Sequence, residues 1–283
     1  MRFKHLKFMG VGSMLLLMSL GCSKESTVGD ALEPINGKAV LKANKTNTYY
    51  GPQISLGNGH VRSWIRIAKD GTPEELGVEM SAKSLTGLPS GPGHTSLVLP
   101  LHKKAMENTP FDHVFFNWNP EGHEPPGAFD VPHFDVHFVM VSVAEREAIP
   151  SWSPETDLLF NTYPPPGYIP DGYVTPPGAG TAEPLMGKHW LPLSIFSAPG
   201  VIDPNYVFQN ILLYGSYNGK VLFLEPMDTL EFLNSMASFS SDFPLPDKYE
   251  HSSYYPTSYN IFADSKHDRH YISLSNFEHR DAD

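Results

Sequence analysis

Cysteine is almost missing from this 283-residue chain: Cys22 is the only one. No intrachain disulfide can form, and a single sulfur cannot build a thiolate zinc site. Apolar runs of membrane-spanning length are missing as well. The leading candidate, Phe8 to Leu20, covers 13 residues, short of the ~20 that a helix needs to cross a bilayer. Positive charge is scarce, with 20 Lys and Arg against 31 Asp and Glu, so nucleic acid is excluded as a natural partner. No G-x-S-x-G elbow, helical H-E-x-x-H or phosphate-cradling glycine loop occurs. Serine hydrolase, zinc protease and nucleotide chemistry of the familiar kinds are thereby disfavoured.

What is present begins with a basic start at Arg2, Lys4 and Lys7 followed by the short apolar run, the pattern of an export signal over residues 1–21. Ser19-Leu20-Gly21-Cys22 resembles the bacterial lipobox, in which the cysteine is lipidated and becomes the new N-terminus; Ser19 departs from the usual leucine. The expectation is a lipoprotein of the cell envelope, held on a membrane surface through acyl chains on Cys22, with secretion as the alternative. Residues 22–37 read as a tether of Ser, Lys, Glu, Gly and Pro, and residues 38–283 as one folded domain. Cleavage removes three basic and no acidic groups, leaving 17 against 31 and a formal charge of −14.

Twenty-seven prolines, 23 glycines and 12% aromatic residues point to a β-rich domain rather than a helical bundle. His60 to Ile67 alternates, with Val61, Ser63, Ile65 and Ile67 on one face. Asp70-Gly71 turns it into a second strand at Glu75 to Met80, followed by a short helix from Ser81 to about Gly87. Further strands are predicted at Thr95 to Leu101, Phe111 to Trp118 and His133 to Val143, with a Ser142/Glu145 capping box opening a short helix to Ile149. Asn218-Gly219 marks a hairpin between Asn210 to Tyr217 and Lys220 to Glu225. Asp228 is the predicted cap of a helix to Met236, and Tyr259 to Ala263 pairs with Arg269 to Leu274. The seven prolines between Tyr163 and Pro184 dictate an extended loop. Together these predict a mainly β, single-domain β-sandwich or jelly-roll-like barrel with a few short helices.

The richest chemistry lies between Gly122 and Phe138, "GHEPPGAFDVPHFDVHF". On a strand, His133, Asp135 and His137 share one face while Phe134, Val136 and Phe138 share the other. Neighbours at i and i+2 stand ~6.6 Å apart and can reach one ion, whereas i and i+4 are ~13 Å apart. An ideal strand therefore pairs Asp135 with one histidine. His123 and Glu124 come from the turn in front, where Pro125-Pro126-Gly127 can return them over the start of the strand. His189 in "MGKHW" is the candidate distant ligand. Imidazole and carboxylate without thiolate suit a divalent transition metal: zinc, iron, manganese or nickel. Acid/base contacts without metal, or histidines that simply donate to backbone carbonyls, are the competing readings.

The block "WNPEGHEPPGAFDVPHFDVHF", with "AERE", "MGKHW" and "YNGKVLFLEPM", resembles a family of exported bacterial proteins of unknown function. The resemblance runs from "DGTPEELGV" to the last hairpin, and implies a single domain whose motifs contain His123, Glu124, His133, Asp135, His137 and His189. It transfers no catalytic role. Two functions follow from the residues: metal binding in support of a small polar ligand, with Glu124 or Asp135 as proton acceptor if there is catalysis; or a non-catalytic envelope protein acting through self-assembly or partner binding, for which Tyr163, Tyr168 and Tyr173 in the proline loop would serve as exposed contacts.

Overall fold

Alternation of apolar and polar residues, broken by glycine and proline turns, produces strands, and strands account for most of the ordered backbone. The computed structural model describes residues 46–283; the predicted export signal, Cys22 and the predicted tether lie outside the described residues. In chain order the first strands are β1 (Asn47–Tyr50), β2 (Ile54–Leu56), β3 (Gly59–Ile67), β4 (Pro73–Ser81), β5 (Thr95–Pro100), β6 (His113–Asn119) and β7 (His133–Val139). Next come β8 (Tyr173–Val174), β9 (Ala182–Glu183), β10 (Gly187–Pro192), β11 (Phe196–Ala198), β12 (Val201–Ile202), β13 (Asn210–Tyr217) and β14 (Lys220–Thr229). The last are β15 (Phe239–Asp242), β16 (Ser253–Tyr255), β17 (Ser258–Asp264), β18 (Arg269–Ser275) and β19 (Glu278–Arg280). Among the described residues four short α-helices interrupt them, α1 (Lys103–Asn108), α2 (Val143–Glu147), α3 (Asp157–Asn161) and α4 (Leu230–Asn234), with single 3-10 turns at Ala82–Leu85, where a short helix is predicted, and Leu193–Ile195.

Two large antiparallel sheets result. One runs β1-β3-β4-β18-β17-β15 with β2 beside β3, and the other β5-β6-β7-β14-β13-β10-β8 with β9 beside β10. One apolar cluster joins their facing sides, taking Val61, Ile65, Leu76, Val78 and Ile272 from the first sheet and Val114, Phe116, Phe134, Val136, Phe138 and Leu224 from the second. Among the described residues neither sheet closes on itself, so the architecture is a sandwich and not the barrel that the sequence left open. Two stacked faces bury strand side chains at every second position, which is the period of Val61, Ser63, Ile65 and Ile67 on β3.

Some elements differ from the sequence expectation, each for a local reason. The strand predicted from His133 stops at Val139 rather than Val143, because Ser142 and Glu145 form the predicted capping box and start α2 at Val143. The strand predicted to end at Glu225 runs through Pro226 to Thr229. Pairing with β13 continues across Leu212 and Pro226, while the ladder to β7 is interrupted between Leu224 and Met227, where proline has no N–H to give. The cap of α4 is Thr229, whose hydroxyl accepts from the Phe232 amide at 3.1 Å, and not Asp228, which is buried in the strand. Tyr173 is no exposed contact either: it is buried and donates its hydroxyl to the Leu212 carbonyl at 2.9 Å. The proline loop is extended as predicted, yet carries the two-residue strands β8 and β9 that pin it to β10.

Candidate metal centre

Because Phe134, Val136 and Phe138 enter the core, His133, Asp135 and His137 must face the other side of the eight-stranded sheet. All three are buried there, each with under 5% exposure. On neighbouring β6, Asn119 stands opposite His133 and Asn117 opposite Asp135. The register of β14, which pairs Leu224 with Phe138 and Met227 with Asp135, sets Glu225 against His137. His189 follows from β10, two strands farther on.

His123 reaches this face through the turn. Gly122 has φ +75°, and the Phe129 carbonyl fills the place a Cβ would take, so only glycine fits. The His123 amide then donates to that carbonyl at 3.1 Å, closing a bridge between His123 and Phe129. The His123 ring ends 4.6 Å from that of His133, centroid to centroid. His189 is held by the proline loop: its backbone and ring nitrogens both meet the Thr181 carbonyl, at 3.0 and 3.1 Å, and the Thr181 hydroxyl donates back to the His189 carbonyl.

Two triads emerge instead of one cluster. His123, His133 and Asp135 form the first, and His137, His189 and Glu225 the second; within each, one ligand atom per residue lies within 4.8 Å of the others. The separation agrees with strand geometry, which denies His133 and His137 a common ion. Glu124 stands outside both triads, and its backbone carbonyl, not its carboxylate, meets the His123 ring at 2.7 Å. Glu225 escaped the sequence reading. Its signal was a lone glutamate in the apolar run "VLFLEPM", where a buried charge requires a partner.

The protonation of the rings follows from their contacts. Each histidine places Nδ1 on a backbone carbonyl: His123 on Glu124, His133 on Val131, His137 on Phe115 and His189 on Thr181. A carbonyl only accepts, so Nδ1 carries the hydrogen and a neutral ring presents a lone pair at Nε2. Those Nε2 atoms face carboxylate oxygens: His123 and His133 meet Asp135 at 3.4 and 3.1 Å, and His137 and His189 meet Glu225 at 3.1 and 3.5 Å. The buried atoms His133 Nε2, Asp135 Oδ1, His137 Nε2 and Glu225 Oε2 stand in these ion pairs without an aligned hydrogen bond. Two ligands of one ion at ~2.1 Å stand about 3.0 Å apart at a right angle and about 3.4 Å apart at the tetrahedral angle. Three of the four separations fall in that range and the His189–Glu225 separation of 3.5 Å lies just above it, with each carboxylate meeting its two imidazoles through different oxygens.

The buried carboxylates draw positive charge to both triads. Burial works against the charged His123 ring, but the Asp135 carboxylate outweighs it and raises the ring to about 9. His137 is likewise raised against its burial, by Glu225. Asp135, although buried, is held well below the ordinary carboxylate range by the imidazoles of His133 and His123, and Asn119 donates to its Oδ2 at 2.6 Å. Aromatic rings wall the triads: Phe208 lies 5.2 Å from His133, and Phe223 lies 4.7 and 5.2 Å from His137 and His189.

His123 and Asp135 of the first triad and His189 and Glu225 of the second line a cleft of about 1410 Å³, walled by the Glu124–Gly127 turn, the proline loop and the β11–β12 hairpin. A smaller cavity of about 200 Å³, lined by Tyr168, Tyr214, Tyr249 and Tyr255, shares no residue with it. Among known proteins, no curated protein and no solved structure matches the chain. Residues 69–118 match the family described as TTHB210-like, hypothetical protein TTHB210; this supports an uncharacterised family, and the match ends just before the histidine block.

Proposed function

We propose that this is an exported envelope protein, lipid-anchored through Cys22, whose sandwich binds two divalent transition-metal ions through His123, His133 and Asp135 and through His137, His189 and Glu225. One observation carries the reading: two imidazole Nε2 atoms converge on each buried carboxylate, with every Nδ1 tied to a backbone carbonyl. A second group that fixes the far nitrogen of the ring is the arrangement metal-ligating histidines use. An ion satisfies every one of these atoms at once, whereas a shared proton satisfies one imidazole per carboxylate. The donor set of imidazole and carboxylate fits zinc, iron, manganese or nickel. Elemental analysis of the full-length protein tests the reading. Near two equivalents of metal are expected, falling to one in His133→Ala and to one in His189→Ala; wild-type protein that takes up none from a zinc-containing buffer ends it.

A second reading, a non-catalytic surface for a partner or another copy, draws on exposed Leu193, Val201 and Val207 around the β11–β12 hairpin. Light scattering on the purified protein decides it, since a monomer at micromolar concentration excludes self-assembly through that patch.

A further inference from the structure

Three features of the cleft are left unused by metal binding alone. Asn117, opposite Asp135 on β6, is 1% exposed and lies on the cleft floor. Its Nδ2 donates to the Ser96 hydroxyl at 2.7 Å, and its Oδ1 has no partner. An unpaired buried acceptor costs about 1–3 kcal/mol, so this oxygen is free to accept from a water or another donor in the cleft.

The second feature is the asymmetry of the triads. In the first, His123 is 38% exposed beside a fully covered His133; in the second, Glu225 and His137 are at most 2% exposed. Three protein ligands leave a tetrahedral ion one position for water or substrate, and the first triad, with His123 38% exposed against 11% for His189, is the more open of the two. The third feature is the lining. Among the described residues of the cleft none is Lys or Arg, while Glu124, Asp135, Glu183, Asp203 and Glu225 are present between proline and aromatic walls. Such a cleft repels multiply anionic molecules and suits an uncharged one with apolar flanks.

Resting on the metal reading above, we infer that the first triad is a hydrolytic centre for uncharged acyl substrates, esters or amides, and that Asn117 Oδ1 orients the attacking water by accepting one of its protons. The water oxygen bonds to the acyl carbon, and the carbonyl electron pair moves onto its oxygen. The pair returns as the bond to the leaving oxygen or nitrogen breaks. The proton lost by the water passes to solvent in the open cleft and the leaving group takes one from it, giving acid and alcohol or amine with no change of oxidation state. The more deeply buried second triad would hold its ion as a brace for β7, β10 and β14.

The test uses full-length protein loaded with cobalt(II), whose visible spectrum reports its ligands. Acetohydroxamate is expected to alter the spectrum saturably, and this response is expected to vanish in His123→Ala. The loaded protein is expected to hydrolyse p-nitrophenyl butyrate and to leave bis(p-nitrophenyl) phosphate intact. Asn117→Leu is expected to keep its metal and KM while kcat falls ~10-fold or more, and Asn117→Asp, which retains an acceptor, to restore turnover. Loaded protein that ignores acetohydroxamate and turns over the ester no faster than free cobalt overturns the inference, as does unchanged kcat in Asn117→Leu. Faster cleavage of the phosphodiester overturns the substrate class. Failure to load cobalt at all sinks the metal reading instead.

Discussion

Asp228 carries a cost that the fold tolerates without using it in either triad. The residue lies opposite Phe134 on β14, wholly buried, and neither carboxyl oxygen has a partner. Burial, reinforced by the negative charge of Asp135, holds this carboxyl well above the ordinary range, so the folded protein keeps it protonated where the unfolded chain releases the proton. The unfolded state then binds fewer protons, and stability falls as pH rises from the unfolded pKa towards the folded one. Asp228→Asn is expected to flatten that decline, seen as a smaller drop in the urea midpoint between pH 5 and pH 8. A second titration acts on the site. His123 is raised to about 9, so below that pH an incoming cation must displace its proton. Zinc affinity at the first triad is expected to weaken by up to ~10-fold per pH unit for each proton displaced, and calorimetry at pH 6, 7 and 8 in buffers of different ionisation enthalpy counts those protons.

At the scale of elements, the turn before β7 decides whether the first triad exists. Gly122→Ala places a Cβ against the Phe129 carbonyl at a positive φ, so the bridge that returns His123 over the strand must open. Loss of metal affinity at the first site by ~10–100-fold is the expected result, the range for disturbing the support of a ligand, with the second ion retained; elemental analysis after dialysis shows which is lost. This turn also shows what was legible in the sequence. Alternation along His133 to Phe138 assigned both faces of β7 correctly, and the i to i+4 spacing kept His133 and His137 apart. Asn218-Gly219 announced its hairpin because both residues adopt positive φ, 49° and 81°, and Ser142 with Glu145 announced α2. The rest depended on contacts between distant segments. Asp228 and Thr229 are both capable caps, and burial alone decides between them. Helix α1 is capped by His102, whose Nδ1 accepts from the Lys104 amide at 3.2 Å, and histidine is not a residue that signals a cap. Glu225 and Asn117 join the site only through strand order, β6-β7-β14, which no local pattern encodes.

Across the whole molecule, the six candidate ligands come from one turn and three strands spread between His123 and Glu225, and only the assembled sheet brings them together. The proposed anchoring belongs to a different part of the chain: Cys22→Ser is expected to move the protein from the membrane fraction to the soluble envelope fraction, read by detergent phase partition, with metal content unchanged. The scattered ligands couple metal to folding. An unfolded chain has no arrangement of these side chains that holds an ion as the sheet does, so binding stabilises the native state by RT ln(1 + [metal]/Kd), about 2.7 kcal/mol at a free concentration 100 times Kd. For a domain of this size each kcal/mol moves the melting temperature by ~2–4 °C, which predicts a rise of roughly 5–10 °C per site on adding zinc and its reversal by a chelator. In the His133→Ala variant about half of the shift is expected to persist, because the second triad is intact; in a His133→Ala, Glu225→Gln double variant none should. A scanning calorimetry trace of the wild-type protein that does not move with zinc would show that the imidazoles and carboxylates meet in these pairs without an ion between them.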